Sequence, residues 1–597
     1  MTIIEKLKEL RRLMDERNIS VYMIPTSDFH ETEYVGEYFK ARYYMSGFSG
    51  SAGTLVVCKE CAALWTDGRY FIQAAKQLEN STIELMRQGE EGVPTIAQYI
   101  YDHMKEKEVF GFDGRVMNTK LTKAILGKLK EKEVGVSYDE DLVDMIWKDR
   151  PTLPKAKAFF LTEAFSGKSV GDKLKEIREE MNQKHATHHI ITSLDDIAWI
   201  LNMRGGDVEC YPVALSYLVL THNENYLFID ADKLTNELYQ EFKANNIVVK
   251  DYDAIYDFVK TIEEGSTILL DSGFVNYAIT QNLKDNIKLV DCTNPSQMMK
   301  AIKNPVELEN NKIAHIRDGV AMTKFMYWLK TNVGKMEMSE ISASDYLREL
   351  RAQQENFLDV SFDTISAYKE HAAMMHYSAT AESDVMLQPE GLLLVDSGGQ
   401  YLEGTTDITR TFVLGPISDE IRLHFTAALR GHIALSRARF LHGCRGVNLD
   451  ILARGPLWDM DLDYKCGTGH GVGHLLNVHE GPNGFRWKIV SDRSDSCILE
   501  EGMTQSNEPG VYVEGSHGIR HENECVVRKG EKNEYGQYMY LETITFVPFD
   551  LDGIDTELLT QYEIYWLNEY HEAVYNKISP YLNDAEKEWL KEATRAI

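Results

Sequence analysis

In the first half of the chain, short apolar strands alternate with helical segments, and this alternation stops near residue 300. The first run contains SAGTLVVCKECAALWTDGRYFIQAAKQL, which predicts a hairpin followed by a helix that starts near Arg69. The second run begins near Lys157 and contains HHIITSLDDIAWILNMR and ALSYLVLTHNENYLFIDADKL. Strands interleaved with helices are typical of α/β layers. The sequence therefore predicts two α/β domains, over residues 1–150 and 151–304.

Beyond residue 304 the pattern changes to long helices and glycine-punctuated strands. Residues 305–332 predict one long helix, and Ser339 fits the N-cap of a second. Strand-like segments rich in glycine follow to about residue 530, interrupted by a predicted helix over 418–440. We predict an α+β domain over 305–531 and a C-terminal extension over 532–597 that packs on it. Several units are expected, since a chain of 597 residues exceeds the ~100–200 residues of one domain.

The composition argues against several classes of partner and location. A net charge of −29 repels phosphate backbones, so we expect no nucleic-acid partner. The sequence has no apolar run of about 18 residues, and its N-terminal segment has the stripe of an amphipathic helix instead of a signal peptide's apolar core. We therefore expect no membrane span and a cytoplasmic location. The eight cysteines are thinly spread, and Cys58 and Cys61 lack a second ligand pair, so a turn between two strands is expected there.

Four carboxylates and one histidine stand out in the α+β segment. Asp396 ends the apolar strand of LLLVDSGGQY, and Asp407 follows eleven residues later, on the predicted returning strand of a hairpin. Glu508 in SNEPGVY and Glu522 in GIRHENECVV lie on further strand-like segments, fourteen residues apart. His470 lies in the glycine-rich stretch GTGHGVGH. Side chains on neighbouring strands can converge on one point.

Taken singly, each of these residues has a structural interpretation, as a cap, a surface charge or a loop histidine. The stretch around His470 is also not a phosphate loop, because it lacks the GxxxxGK[ST] lysine and no βαβ unit surrounds it. Together, four clustered carboxylates would repel one another unless cations lay between them. Oxygen-rich ligation with one imidazole suits Mn²⁺, or Co²⁺ and Zn²⁺ by affinity. Five ligands are too many for one catalytic metal, but they suit two ions ~3.5–4 Å apart that share a hydroxide, as in aminopeptidases and related hydrolases.

These stretches also resemble a known family. The set DSGGQYLEGTTDITRTF, GTGHGVGHLLNVHEGP, NEPGVY and GIRHEN resembles the pita-bread metallopeptidases of family M24. More narrowly it is similar to the cytosolic three-domain Xaa-Pro aminopeptidases (aminopeptidase P), and YYMSGFSGSAGTLVV and SLDDIAWILNMRG are similar to their two N-terminal domains. The resemblance implies two creatinase-type α/β domains, a pita-bread catalytic domain and a homodimer. It also implies release of the N-terminal residue from peptides with proline second, by a hydroxide that bridges two metal ions.

The resemblance further implies a role for each metal ligand. Asp396 would hold one ion, and His470 with Glu508 would hold the other. Asp407 and Glu522 would bridge both ions. The expected cofactor is a pair of divalent ions, with Mn²⁺ preferred and Co²⁺ or Zn²⁺ possible.

Four residues are implied to act on the substrate or on the reacting groups. Glu508 would serve as general base and then as general acid. His376, in AAMMHYSA, matches the family's substrate-binding histidine, and His479 matches the histidine that contacts the substrate and steadies the developing oxyanion. Arg520 matches the arginine beside the bridging glutamate.

Two positions near His470 stand apart from this assignment. His474 has no implied role, and a histidine in a loop outside the ligand set is expected there. At Cys466, four residues before His470, relatives commonly carry another histidine near the substrate. A thiol is a weak hydrogen-bond donor. Either a neutral replacement or an effect on turnover remains open at this position.

Three alternatives compete with an Xaa-Pro aminopeptidase. A prolidase has the same catalytic fold and ligands but takes Xaa-Pro dipeptides, and it usually has one N-terminal domain where this chain has two predicted. Creatinase-like relatives work without metals and lack the five ligands. A non-catalytic pita-bread binding module would have lost ligands or gained basic insertions, and neither is seen.

Overall fold

The computed structural model describes residues 1–490 and 495–597. The chain divides into two compact units. Unit 1 comprises Met1–Leu161 and Lys168–Ser296, and unit 2 comprises Thr162–Gly167 and Gln297–Ile597. Within the described ranges, no helix is both long and apolar enough to cross a membrane.

Unit 1 contains two six-stranded mixed sheets with the same topology. In each sheet, three strands paired antiparallel lie in the middle, and parallel strands extend both edges. The first sheet has the order Glu84–Arg87, Ala62–Thr66, Thr54–Cys58, Ile19–Pro25, Val109–Gly111, Gly135–Ser137. The second has the order Ile247–Lys250, Asn225–Ile229, Ser216–Thr221, His188–Ile191, Thr267–Leu270, Lys288–Asp291. Two separate α/β layers are thus present, as the alternating pattern predicts.

The helices of unit 1 pack apolar faces on these sheets. Ile3–Glu16 begins with a capping box between Thr2 and Glu5. It buries the three leucines and Met14 of the predicted apolar stripe, whereas Ile4, also predicted in that stripe, is exposed. The other helices are Ala41–Ser46, Phe71–Gln77, Ile96–His103, Thr119–Leu129, Leu142–Ile146, Val170–Gln183, Leu194–Ile200, Asn236–Ala244, Ile255–Thr261 and Tyr277–Gln281, with a short strand pair Phe159–Phe160 and Met203–Arg204. Cys58 and Cys61 are free thiols at the turn of a hairpin, as predicted.

In its described residues, unit 2 contains several long helices, three small sheets and one larger sheet. Pro305–Asn332 starts where predicted, since Asn304 and Glu307 form a capping box and Pro305 occupies the first turn. The predicted helix over 418–440 ends earlier, at Ser436, because the chain turns there into a short strand. The helices are Glu163–Ser166, Pro295–Ala301, Pro305–Asn332, Glu340–Ala352, Asp419–Ser436, Gly446–Trp458, Gln561–Ile578 and Asp584–Ala593.

The strands of unit 2 bring distant parts of the chain together. The largest sheet has the order Arg439–Leu441, Gly536–Thr543, Asn523–Asn533, Thr504–Asn507, Gly469–Gly471, Glu480–Phe485. The smaller sheets are Ile365–Tyr368 with Leu392–Ser397 and Ile408–Val413, Phe357–Val360 with Gly399–Tyr401 and Gly404–Thr405, and Gly510–Val513 with His517–Arg520.

The C-terminal part of unit 2 is joined to the larger sheet. The strand Gly536–Thr543 pairs antiparallel with Asn523–Asn533, so the predicted boundary at residue 531 falls within a hairpin. The helix Gln561–Ile578 then packs Tyr570 and its neighbours into an apolar core that also contains Phe425 and Phe549. Burial of such side chains stabilises this part by about 1.5–3 kcal/mol for each.

Candidate metal centre

Asp396 and Asp407 lie at the same end of one antiparallel strand pair. Asp396 is the fifth residue of Leu392–Ser397 and lies opposite Thr409 of Ile408–Val413. Asp407 directly precedes that second strand, and its backbone N–H donates to Glu524 Oε1 at 2.7 Å. Both aspartates are buried. The hairpin predicted from their spacing is therefore present, and it directs both carboxylates into the interior.

His470 and Glu508 are held together by the larger sheet. His470 lies on the strand Gly469–Gly471, and its backbone N–H donates to Ser506 Oγ at 3.0 Å. Ser506 Oγ in turn donates to Glu508 Oε1 at 3.0 Å, and the Glu508 backbone N–H donates to the Thr468 carbonyl at 2.8 Å. One serine thus orients the backbone of one candidate ligand and the carboxylate of the other.

Four of the five candidate side chains are linked by short distances, and the fifth, Asp396, is linked to them electrostatically. His470 Nε2 lies 3.4 Å from Asp407 Oδ2 and 3.3 Å from Glu508 Oε1. Potential ligand atoms of Asp407, His470 and Glu522 all lie within 4.8 Å of one another. Asp396 is tied to this group electrostatically, since its charge raises the pKa of both Asp407 and Glu522.

The electrostatics of this cluster fit a pair of divalent cations. Burial, followed by repulsion from the neighbouring carboxylates, raises the pKa of Asp407 and of Glu522 well above the ordinary range. Asp396 Oδ1 and Glu522 Oε1 are buried oxygens without a hydrogen-bond partner. A buried acceptor without a donor costs about 1–3 kcal/mol. Oxygen and imidazole atoms grouped in this way suit hard or borderline divalent ions.

Arg520 lies beside the cluster and pairs with one of its carboxylates. Its guanidinium forms an ion pair with Asp396 through Nη2 and a hydrogen bond to Tyr512 Oη at 2.6 Å through Nη1. Its Nε donates to Thr409 Oγ1 at 3.0 Å. Arg520 is buried, so these contacts fix the Asp396 carboxylate in one orientation.

Each of the two candidate substrate histidines has a neighbour in or beside the cluster. The His479 and His470 rings meet edge to face, with centroids 4.3 Å apart. His376 follows Met375, whose carbonyl lies 3.5 Å from Arg520 Nη2, so the loop that carries His376 runs past Asp396. Both histidines are partly exposed. Both side chains can therefore be reached from solvent.

Cys466 and His474 lie near the cluster in different surroundings. Burial raises the pKa of the Cys466 thiol to about 11, with a smaller contribution from Glu508, so the thiol is neutral at pH 7. His474 is buried and lies outside the group of candidate ligands, with Nδ1 2.9 Å from Asn311 Oδ1 and Nε2 3.0 Å from the Phe165 carbonyl.

Several supporting residues are absent from the sequence-based prediction. Thr409 Oγ1 donates to Glu522 Oε2 at 2.7 Å. Glu524, which accepts the Asp407 N–H, also pairs with His315 Nε2 at 3.0 Å. Glu524 lies two residues after Glu522, on the same face of an extended segment, which is the only sequence signal for it.

Four segments of the chain match known protein families. The description "Creatinase/Prolidase N-terminal domain" matches residues 6–146 and again 149–307. "Metallopeptidase family M24" matches residues 309–529, and "C-terminal region of peptidase_M24" matches residues 537–597.

Full-length relatives are similar over nearly the whole chain. A probable Xaa-Pro aminopeptidase P from Botryotinia fuckeliana is 38% identical over 98% of this chain and 92% of its own length. Xaa-Pro aminopeptidase 1 from Dictyostelium discoideum is 37% identical over 100% of this chain and 97% of its own. The crystal structure of X-prolyl aminopeptidase from Caenorhabditis elegans, "a cytosolic enzyme with a di-nuclear active site", superposes with a TM-score of 0.94 at 34% identity and covers 100% of both chains.

Proposed function

The chain belongs to metallopeptidase family M24, among the Xaa-Pro aminopeptidases P, and from this we propose that it releases the N-terminal residue from peptides whose second residue is proline. The observation that most directly supports this proposal is that Asp407, His470 and Glu522 lie close together in a chain similar to aminopeptidases along its full length. The bond cleaved is a tertiary amide, whose nitrogen has no N–H and whose ring fixes φ. The prolidase alternative is not favoured, because the full-length relatives are aminopeptidases.

The enzyme works with two divalent metal ions, and the candidate ligands supply five side chains for them. In our proposal Asp396 would hold one ion, His470 and Glu508 would hold the other, and Asp407 and Glu522 would contribute to both. When bound, such a pair lowers the pKa of water and polarises the scissile carbonyl. We propose Mn²⁺ as the working ion, supported by the four carboxylates and single imidazole.

Glu508 is proposed to transfer a proton from the attacking water to the leaving nitrogen. Its Oε1 accepts a hydrogen bond from Ser506 Oγ, which keeps the carboxylate directed at the site. As general base it takes a proton from the attacking water, and as general acid it returns that proton to the proline nitrogen as the bond breaks. The product is the secondary amine of proline, which without that proton would have to leave as a strongly basic amide anion, so this second step is needed for cleavage.

His376 and His479 are proposed to contact the substrate, and Arg520 is proposed to orient the Asp396 carboxylate. His479 lies against His470, where a donated hydrogen bond would reach the oxyanion that develops on the scissile carbonyl. His376 lies on the loop beside Arg520 and is proposed to bind the substrate. Arg520 holds Asp396 through their buried ion pair and leaves the unpartnered Oδ1 available to a metal ion.

The location, assembly and domain division are also proposals. A cytoplasmic location is supported by eight free cysteines and by the neighbour described as cytosolic. A homodimer is supported by exposed apolar side chains on unit 2, including Trp458 and Trp487, whose rings lie 6.2 Å apart. The division at 1–150, 151–304, 305–531 and 532–597 is supported by the matched family segments.

The test uses metal-stripped protein restored with Mn²⁺. An Xaa-Pro dipeptide and a longer Xaa-Pro-Pro peptide are each supplied, and the released amino acid is followed. Metal-dependent cleavage of the longer peptide is expected. Cleavage of the dipeptide alone would identify a prolidase, and cleavage of neither by protein with bound metal would favour a binding role.

A further inference from the structure

Arg410 is a fully buried cation on the strand that follows Asp407. Its side chain donates to Asn523 Oδ1 at 2.7 Å, to the Val547 carbonyl at 2.8 Å, to Tyr570 Oη at 3.0 Å and to the Pro548 carbonyl at 3.1 Å. None of these acceptors is charged, and burial lowers the pKa of Arg410. Burial of a charge costs several kcal/mol unless hydrogen bonds satisfy it. The guanidinium is therefore tolerated only while this set of acceptors stays in place.

The same guanidinium holds the main chain of Glu522. Arg410 Nη1 donates to the Glu522 carbonyl oxygen and to the Thr409 carbonyl, the latter at 2.9 Å. The Thr409 carbonyl also accepts the Glu522 N–H at 3.2 Å, and Thr409 Oγ1 donates to Glu522 Oε2 at 2.7 Å. Two consecutive residues thus fix Glu522 at its amide, its carbonyl and its carboxylate.

Three of the acceptors come from the C-terminal part of the chain. Val547 and Pro548 follow the last strand of the larger sheet, and Tyr570 lies on Gln561–Ile578. Tyr570 Oη also donates to the Val547 carbonyl at 2.9 Å, and the Phe549 ring centroid lies 4.1 Å from the Arg410 guanidinium carbon. The C-terminal residues therefore close the far side of the Arg410 pocket.

We propose that Arg410 is a positioning residue that couples the packing of the residues lining its pocket, Val547, Pro548 and Tyr570 of the C-terminal segment (residues 545–571), to the separation of the Asp407 and Glu522 carboxylates. Asp407 lies three residues before Arg410 on the same stretch of chain, and Glu522 is held by Arg410 through its carbonyl. A shift of these three pocket residues would move Arg410 and, with it, one carboxylate relative to the other. The inference rests on the proposed two-metal site.

Three variants separate this role from general support of the fold. Arg410→Lys keeps the charge but loses the fork that reaches several acceptors at once. Tyr570→Phe removes one hydroxyl from the C-terminal side of the pocket. If Arg410→Lys does not fold, this second variant still tests whether the Arg410 pocket affects Mn²⁺ binding. Lys330→Met is the matched control, because Lys330 Nζ also joins the same strand to the C-terminal segment, through the Val413 carbonyl at 2.7 Å and Asp550 Oδ2 at 2.8 Å.

The measurements are Mn²⁺ titration calorimetry on metal-stripped protein, the electron paramagnetic resonance spectrum of the two coupled Mn²⁺ ions, and kcat and KM on an Xaa-Pro-Pro peptide. We expect Arg410→Lys to weaken Mn²⁺ binding roughly 10- to 100-fold, as loss of a partner behind a metal ligand does. Its spectrum should change, and kcat should fall more than KM changes. Tyr570→Phe should act in the same direction to a smaller extent. Lys330→Met should lower thermal stability but leave Mn²⁺ affinity and the spectrum at wild-type values.

Two results would overturn the inference. One is wild-type Mn²⁺ affinity and spectrum in both Arg410→Lys and Tyr570→Phe, and the other is an equal loss of affinity in Lys330→Met. Failure of the wild-type protein itself to bind two Mn²⁺ ions is a different result, because it would overturn the two-metal site and the proposed function with it.

Discussion

Asp407 and Glu522 are the two candidate ligands whose pKa values are raised well above the ordinary range. Each is buried, and each has its pKa raised by burial and then by the other carboxylates. In the proposed site both residues bridge the two ions, so the loss of either one removes a ligand from each ion.

We therefore expect Asp407→Ala or Glu522→Ala to abolish peptide cleavage and to release both metal ions. The metal site supplies several kcal/mol of transition-state stabilisation, so turnover should fall by a factor of at least about 100. Turnover and bound Mn²⁺ are measured together. Glu501→Ala is the control, because its ion pair with Lys529 is largely exposed and should matter little. Retained turnover in either bridging variant would refute the bridging assignment.

Cys466 lies near Glu508 with a neutral thiol, at the position where the family resemblance implies a histidine. We expect Cys466→His to leave the bound Mn²⁺ per chain unchanged and to raise turnover, because an imidazole donates a stronger hydrogen bond than a thiol. Metal analysis and kcat on an Xaa-Pro-Pro peptide check both statements. A loss of bound metal would mean that this position contributes to the ligand geometry.

Charged residues of the site are predictable from sequence, whereas the neutral ones that hold them are not. Asp396, Asp407 and His470 are conspicuous because carboxylates and imidazole on apolar or glycine-rich strands need a reason to be there. Thr409 and Ser506 look like any strand hydroxyl, and their role depends on which strand lies opposite. That pairing is set by tertiary packing and is invisible in the spacing of residues along the chain.

At the scale of elements, the long helix Pro305–Asn332 contributes a histidine that pairs with a residue next to the candidate metal centre. Its His315 Nε2 lies 3.0 Å from Glu524 Oε1, the same oxygen that accepts the Asp407 N–H. Burial alone would lower the pKa of His315, but the Glu524 charge and hydrogen bond raise it overall. The pair therefore links a helix to the start of the strand that carries a bridging carboxylate.

We expect Glu524→Gln to destabilise metal-free unit 2 by about 3 kcal/mol, because the buried ion pair between His315 and Glu524 is lost. The midpoint of thermal unfolding measures this change. Glu531→Gln is the control on the same strand, since Glu531 is exposed and should leave the midpoint unchanged. A midpoint equal to wild type in Glu524→Gln would show that this pair contributes nothing.

Helix starts follow from local chemistry more closely than helix ends do. The capping boxes at Thr2, Asn304 and Ser339 are contained in a few neighbouring residues, and all three helices begin there. The end of the helix at Ser436 depends instead on the strand Arg439–Leu441, which pairs with Gly536–Thr543 about a hundred residues later. Local sequence contains no record of that partner.

At the scale of the whole molecule, unit 1 repeats one sheet topology that sequence identity does not reveal. The central antiparallel strands and parallel edges recur in the same order in both sheets. What the two segments share is the alternation of buried strands and amphipathic helices, which constrains the layers but leaves individual side chains free to differ. The fold class is therefore predictable here, although the repeat is not.

All five proposed metal ligands lie in unit 2, so Mn²⁺ should stabilise unit 2 and leave unit 1 unaffected. Ligand binding at about 100 times Kd adds ~2.7 kcal/mol to the state that binds. Hydrogen–deuterium exchange with and without Mn²⁺ should show slower exchange in Leu392–Ser397, Ile408–Val413 and Thr504–Asn507, with the sheets of unit 1 unchanged.

The stabilisation of unit 2 by Mn²⁺ should also grow with pH. The raised pKa values of Asp407 and Glu522 mean that metal-free unit 2 holds protons there which the unfolded chain has lost. That contribution to stability is present at low pH and is lost as the pH rises through the raised values, while Mn²⁺ has to displace those same protons. Protection by Mn²⁺ should therefore be greater at pH 8 than at pH 6. Equal protection of both units, or protection that weakens with pH, would contradict a site built from these buried carboxylates.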